Sequence, residues 1–245
     1  MSPLQEITSP SSIESTILCF TGDRNAPNKK ADFTGAFLPE CKAFMKYHNI
    51  PAGNHLRVNL GLSEAKRYDS LKTFIASKGH GPTSLVFFCH GLKTKIQLGL
   101  TVNNVKAFVQ FLKTLIPSSG SGGSVLRSPP GLTVILYACS TGSGPGVGGD
   151  GGFADKLRDA LCEGGFTQAR VYGHETSGHT VRNPRKRIFE GRGSPVGGMG
   201  GTWIVAPGTL LFKKWQKELA KSTSSLKYRF PYMTLAAIHT ELLTL

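Results

Sequence analysis

The chain has 245 residues, 39% hydrophobic and 9% aromatic, enough for one large core and against disorder as the default. Its formal net charge of +14 attracts nucleic acid, phosphates or acidic proteins, but charge alone names no function. No window holds the roughly 18 consecutive apolar residues of a membrane helix, and "MSPLQEITSPSSIES" lacks the basic-then-apolar order of a secretory signal, so the expectation is a cytoplasmic protein with no membrane contact.

Residues 1–15 read as a Ser/Pro-rich flexible leader, and 16–245 as a single domain. "TILCF" (16–20) predicts a first strand, followed by the turn-rich "TGDRNAPNKK". "LPECKAFMKYHNI" predicts a helix, with Pro39 suited to its first turn and Cys41, Phe44, Met45 and His48 at helical spacing. A second strand is expected over 55–62 and a helix over 63–79, with Ser63 as N-cap and Gly79 as stop. The continuous apolar run 85–89 reads as a strand buried on both faces. "TVNNVKAFVQFLKTLIP" (101–117) is the clearest helix, with Val105, Phe108, Val109, Leu112, Leu115 and Ile116 on one side and Pro117 ending it.

A Gly/Ser-rich connection then precedes the β-branched run 132–139, the fourth strand. The glycine-rich stretch "STGSGPGVGGDGG" reads as a mobile loop leading into a short helix from Phe153 to a cap at Gly164. Strands are expected over 169–174 and 202–207, and the terminal "PYMTLAAIHTELLTL" reads as a helix packed on the domain. The basic runs 181–192 and 211–230 read as a solvated loop and a solvated helix face. Strands alternating with helices predict an α/β fold: a mostly parallel, doubly wound sheet of about six strands with helices on both faces.

Two buried runs end alike, "LVFFCHG" on His90 and "LTVILYACSTG" on Cys139. If the strands are parallel neighbours, both side chains emerge at one sheet edge, where open α/β sheets hold ligands. A thiol is mostly protonated at neutral pH; an adjacent imidazole takes that proton and returns it to a leaving amine. The amides of Gly91 and Cys139 are candidates for stabilising an oxyanion. Taken singly, a cysteine or histidine at a strand end is more often a core or structural residue; the pairing carries the chemical reading. Cys89 points to the opposite face by strand alternation and reads as core, as do Cys19, Cys41 and Cys162. Five cysteines at irregular spacing are expected as thiols rather than a disulfide framework.

An apolar block ending His-Gly, "VFFCHG" (86–91), followed some fifty residues later by one ending Ala-Cys, "ILYACSTG" (135–142), resembles the signature of the caspase-like cysteine peptidases, a clan that includes caspases, metacaspases, legumains, separases, gingipains and bacterial CHAT proteins. The likeness runs loosely to about residue 175. "YACST" departs from the caspase pentapeptide Gln-Ala-Cys-x-Gly and is closer to the looser pattern of bacterial members. The resemblance implies a cysteine endopeptidase working through an acyl-enzyme without a cofactor, with His90 as base and acid, Cys139 as nucleophile, and Gly91 with Cys139 as oxyanion donors. It further implies a pocket selecting the residue before the cut. Arg24 resembles in position an arginine with which caspases bind an acidic residue, whereas Asp150, Asp155 and Glu175 would serve a basic one.

His174 ends the fifth strand and is a second candidate for the base; it and His179 otherwise suit structural or substrate-contact roles. No metal is expected, because no Cys-x-x-Cys or His-x-x-x-His pair occurs. "GSGPGVGGDGG" lacks the Gly-Lys-Ser/Thr ending of a P-loop. The segments 118–130 and 142–152 are candidate self-cleavage or activation sites. The partners expected are a protein or peptide substrate and an acidic partner or polyanion activator. The rival reading is a non-catalytic domain of this kind whose basic surface binds nucleic acid, an inositol phosphate or an acidic protein.

Overall fold

The computed structural model describes residues 16–22, 37–79, 81–116, 131–191 and 200–245. Arg24 and the segment 118–130 lie outside the described residues. In chain order the elements are β1 (Ile17–Gly22), α1 (Phe37–Tyr47), β2 (His55–Val58), α2 (Glu64–Ala76), β3 (Ser84–Phe88), a short hairpin of β4 (Gly91–Leu92) and β5 (Lys95–Ile96), α3 (Val105–Thr114), β6 (Thr133–Tyr137), α4 (Phe153–Glu163), β7 (Arg170–His174), β8 (Lys186–Glu190), β9 (Thr202–Trp203), α5 (Leu210–Ala220), α6 (Leu226–Arg229) and α7 (Leu235–Thr244).

The fold is α/β, with a seven-stranded, mostly parallel sheet in the order β2-β1-β3-β6-β7-β8-β9. Strands β2, β1, β3, β6 and β7 are parallel, and β8 and β9 close one edge antiparallel. Crossover direction explains where the helices lie. The step from β1 to β2 runs opposite to the steps from β2 to β3, β3 to β6 and β6 to β7, so a constant right hand requires α1 on one face and α2, α3 and α4 on the other. The two cores follow that division. One packs Leu71 and Ile75 of α2, Phe108 and Leu112 of α3 and Leu157 of α4 against Leu18, Phe87 and Leu136. The other packs Phe44 of α1, Trp215 of α5, Tyr228 of α6 and Ile238 and Leu242 of α7 against Phe88 and Tyr137.

β3 and β6 are buried at every position, as expected of central parallel strands. Aromatic rings stack across strands, Phe20 on Phe87 at 4.8 Å and Phe88 on Tyr137 at 4.7 Å. Ser63 caps α2, accepting from the Lys66 amide at 3.4 Å, and Gly79 takes φ of +72° where that helix ends. Gly164 is the C-cap of α4, as expected, its amide donating to the Ala160 carbonyl at 2.9 Å, and Gly165 after it takes the left-handed φ of +97°.

Two segments differ from the sequence reading. Part of the basic run 181–192 is strand β8 rather than a solvated loop, because Lys186 turns into the core and Ile188 and Phe189 supply buried surface. The expected strand over 202–207 reduces to Thr202–Trp203, after which the chain turns toward α5. Among the described residues no helix is long and apolar enough to cross a membrane.

Candidate active site

β3 and β6 pair in register, Ser84 opposite Thr133 through to Phe88 opposite Tyr137. The Cys89 amide continues the ladder by donating to the Tyr137 carbonyl at 3.4 Å. His90 and Cys139 each stand two residues beyond a paired end, at matching positions on strands spaced about 4.8 Å apart. Alternation settles the face: Val86 and Phe88, like Ile135 and Tyr137, point into the core under α1 and α5, and two residues on the same parity brings His90 and Cys139. Cys89 and Ala138 take the opposite face. Burial pushes the Cys89 thiol up to about 12, so the cysteine beside the histidine is an inert core residue. His90 and Cys139 are both partly exposed.

Gly91 is required by crowding. A Cβ there would lie 2.6 Å from the Cys139 carbonyl oxygen, 2.8 Å from Thr141 Cγ2 and 2.9 Å from Ala138 Cβ, so the backbones after β3 and β6 rest directly on one another. The Gln97 amide donates to the His90 carbonyl at 2.9 Å, making those two the hydrogen-bonded pair of the hairpin. The neighbouring Gly91 amide therefore points away from β5, available to a ligand oxygen.

The turn after Cys139 is held equally closely. Ser140 adopts φ of +57°, unusual for a residue with a side chain; Thr141 Oγ1 donates to the Ala138 carbonyl at 2.9 Å and the Gly142 amide to the His174 carbonyl at 2.8 Å. Cys139 Sγ lies 3.9 Å from the Gly178 carbonyl oxygen, which places the loop after β7 against the sulfur. The His90 ring meets Phe37, at the start of α1, edge-on at 4.8 Å and 89°. Among the described residues no hydrogen bond links the His90 ring to Cys139, so a proton transfer between them requires a rotamer change or a bridging water.

The other sequence-predicted residues divide sharply. Asp155 is fully buried, accepting from Arg158 at 2.5 Å and from the Gly151 amide at 2.9 Å; burial raises its carboxyl to about 6 despite the guanidinium. It braces the turn before α4 and is not exposed to a substrate. Glu175 is committed to Arg185 at 3.2 Å and Arg187 at 3.0 Å, so it faces its own arginines rather than an incoming cation. Asp150 stays partly exposed, its carboxylate lying over Gly146 in the turn that follows Cys139. That stretch is wound tightly: Gly146 donates to the Asp150 carbonyl and Gly152 to the Gly149 carbonyl, and a Cβ at Gly144 would fall 2.2 Å from the Asp150 carbonyl oxygen. Its glycines serve close packing rather than a mobile loop.

His174 is 2% exposed, its ring 6.1 Å from that of Tyr137, and its Nε2 has no partner among the described residues. Burial, the Lys186 ammonium and His179 hold this imidazole well below its ordinary value. A base must become an imidazolium, and that environment opposes one, so His90 is the better placed of the two candidates.

The sequence reading missed Lys186 and Glu40. Lys186 is 1% exposed, with Nζ donating to the carbonyls of Val181, at 3.0 Å, and Asn183, and lying 5.4 Å over the Phe230 ring. Glu40, near the start of α1, accepts from Tyr228 Oη at 3.1 Å and stands 3.7 Å from His179 Nε2. Neither had a sequence signal: a lysine inside "NPRKR" is indistinguishable from its solvated neighbours, and Glu40 meets His179 only through the fold. Among the described residues no group of three or more His, Cys, Asp or Glu side chains is arranged to hold a metal ion. Compared with known proteins, the chain matches no family model, no curated protein and no solved structure.

Proposed function

We infer that the chain is a caspase-like cysteine endopeptidase in which Cys139 is the nucleophile and His90 the general base and acid. The single observation that supports this best is the register of β3 with β6, which brings a histidine and a cysteine to equivalent points beyond neighbouring parallel strands, on the same face and both accessible. Loss of the thiol proton to His90 generates the thiolate. Attack on a peptide carbonyl forms the C–S bond, and the oxyanion is met by the amides of Gly91 and Cys139. The protonated imidazole returns its proton to the departing amine, leaving an acyl-enzyme that water hydrolyses to free acid and thiol. No metal or cofactor enters this scheme.

The test is peptide-library profiling of the full chain beside Cys139→Ala. The expected result is a restricted set of cuts made by the wild type and none by the variant. Identical profiles from both, or no cleavage by either, would sink the reading. The non-catalytic alternative rests on the +14 charge and on exposed basic side chains such as Arg182 and Arg185, which line a cavity together with Gly178, the residue whose carbonyl lies 3.9 Å from Cys139 Sγ. Its distinguishing outcome is polyanion binding that weakens steeply with salt while no peptide is cut.

A further inference from the structure

The first turn of α1 touches both halves of the candidate site. Phe37 meets the His90 ring edge-on at 4.8 Å, and Glu40, one helical turn later and so on the same side of the helix, stands 3.7 Å from His179 Nε2. His179 directly follows Gly178, whose carbonyl oxygen lies 3.9 Å from Cys139 Sγ. We propose that Glu40 is a positioning residue for Cys139: through His179 it holds the loop after β7 so that the Gly178 carbonyl engages the thiol at rest, before His90 takes its proton.

Three features favour that role. The first is that Glu40 is itself fixed. Its Oε2 accepts from Tyr228 Oη at 3.1 Å, and burial together with the carboxylate holds that phenol well above its ordinary value, so it stays a donor. The other oxygen, Oε1, is the one that faces His179. The second is that the loop is braced as a unit. Asn183 Nδ2 donates to the Thr176 carbonyl at 2.9 Å, the Asn183 amide donates to the His179 carbonyl at 3.1 Å, and a Cβ at Gly178 would lie 3.0 Å from Asn183 Nδ2. A constraint on His179 is thereby passed to Gly178.

The third is charge. Facing His179 are Glu40 from α1, His174 from β7, Arg182 from its own loop, Lys186 from β8 and Lys227 from α6. Among these described residues Glu40 is the one anion, so it alone favours the imidazolium, while burial and the cations oppose it. The contact is an ion pair once His179 takes a proton and a weaker polar contact when the ring is neutral, so the grip on the loop tightens as pH falls.

The role rests on the peptidase reading for the use made of Cys139, so its test reads the thiol itself, without a peptide. Full-length wild type, Glu40→Gln, His179→Gln and the double variant are alkylated with iodoacetamide, and the rate is followed by the mass of the fragment that carries Cys139. At about pH 6 each single variant is expected to react about two- to fivefold faster than the wild type, the span of a partly solvated ion pair. The double variant is expected to react no faster than the faster single one, because both residues act through one contact. The ratio of Glu40→Gln to wild type is expected to fall toward one by about pH 8, a dependence that general loosening of the fold does not produce. Single-variant rates no higher than the wild type's, a double variant whose gain is the product of the two single gains, or a ratio flat with pH would overturn the role of Glu40. If Glu40→Gln does not fold, Tyr228→Phe replaces it, since it frees the carboxylate from its anchor, and the same outcomes decide. Failure of the wild type to cut any peptide would remove the peptidase reading alone, and unchanged alkylation would remove the positioning role alone.

Discussion

The floor of the candidate site and its wall are built by different means. The floor, from His90 to Gly91 and from Ala138 to Gly142, is set by main-chain contacts: a parallel register, a glycine with no room for a Cβ, and amide-to-carbonyl bonds at the turn. The wall, from Glu175 to Arg185, is set by side chains reaching carbonyls, with Lys186 buried beneath it and Asn183 and Trp215 fastened to it. Main-chain geometry does not titrate, whereas the Lys186 anchor beneath the wall does. The two parts are therefore expected to respond differently to substitution and to pH.

The largest effect falls on the floor. His90→Ala is expected to reduce cleavage about a hundred- to ten-thousandfold, the span of a lost general base. Alkylation of Cys139 sharpens the assignment: loss of His90 slows the reaction at neutral pH, and loss of His174 does not. The opposite result would transfer the base to the buried imidazole. Gly91→Ala is next, with loss of about 1–3 kcal/mol of stability from overpacking, read by denaturant titration, and weaker turnover in whatever remains folded.

On the wall the expectations are pH-dependent. Burial lowers the Lys186 ammonium from 10.5 to about 7. Between those values the unfolded chain holds a proton that the folded chain lacks, so stability rises with pH; below about 7 the burial penalty is fully present. Lys186→Met deprives two carbonyls of their donor and is expected to lose about 2 kcal/mol near pH 9, and less near pH 6, where the wild type itself is penalised. Denaturation midpoints of the two chains across that range check the sign. His174 acts in the acid range: the folded imidazole stays neutral where the unfolded one takes a proton below its ordinary 6.5. Stability therefore falls as pH drops through that value, by up to about 1.4 kcal/mol per pH unit, and His174→Gln flattens this limb. The smallest effect is Glu175→Gln, expected to lose under about 1 kcal/mol because its two arginine pairs are partly solvated.

Much of the floor was legible in the chain itself. Continuous apolar runs at 85–89 and 132–139 mark central parallel strands because such strands are buried on both faces, and the polar residues ending each run then mark the carboxyl edge. Helical spacing gave α3 with its buried Val105, Phe108, Val109 and Leu112 for the same reason: periodicity is a local property. The wall was not legible. Local chemistry assigns a lysine in a basic run, or a glutamate at a strand end, to water.

The order of the strands, the burial of Lys186, the diversion of Glu175 to arginines on β8 and just before it, and the meeting of Glu40 with His179 were decided only by the tertiary structure. Each depends on partners distant in the chain or on another element. Their effect is to desolvate a charge or neutralise it, which no neighbour in sequence can do. What the sequence determined by itself were the elements and the chemistry they end on. What the fold decided was which of those charged groups remain free to meet a substrate.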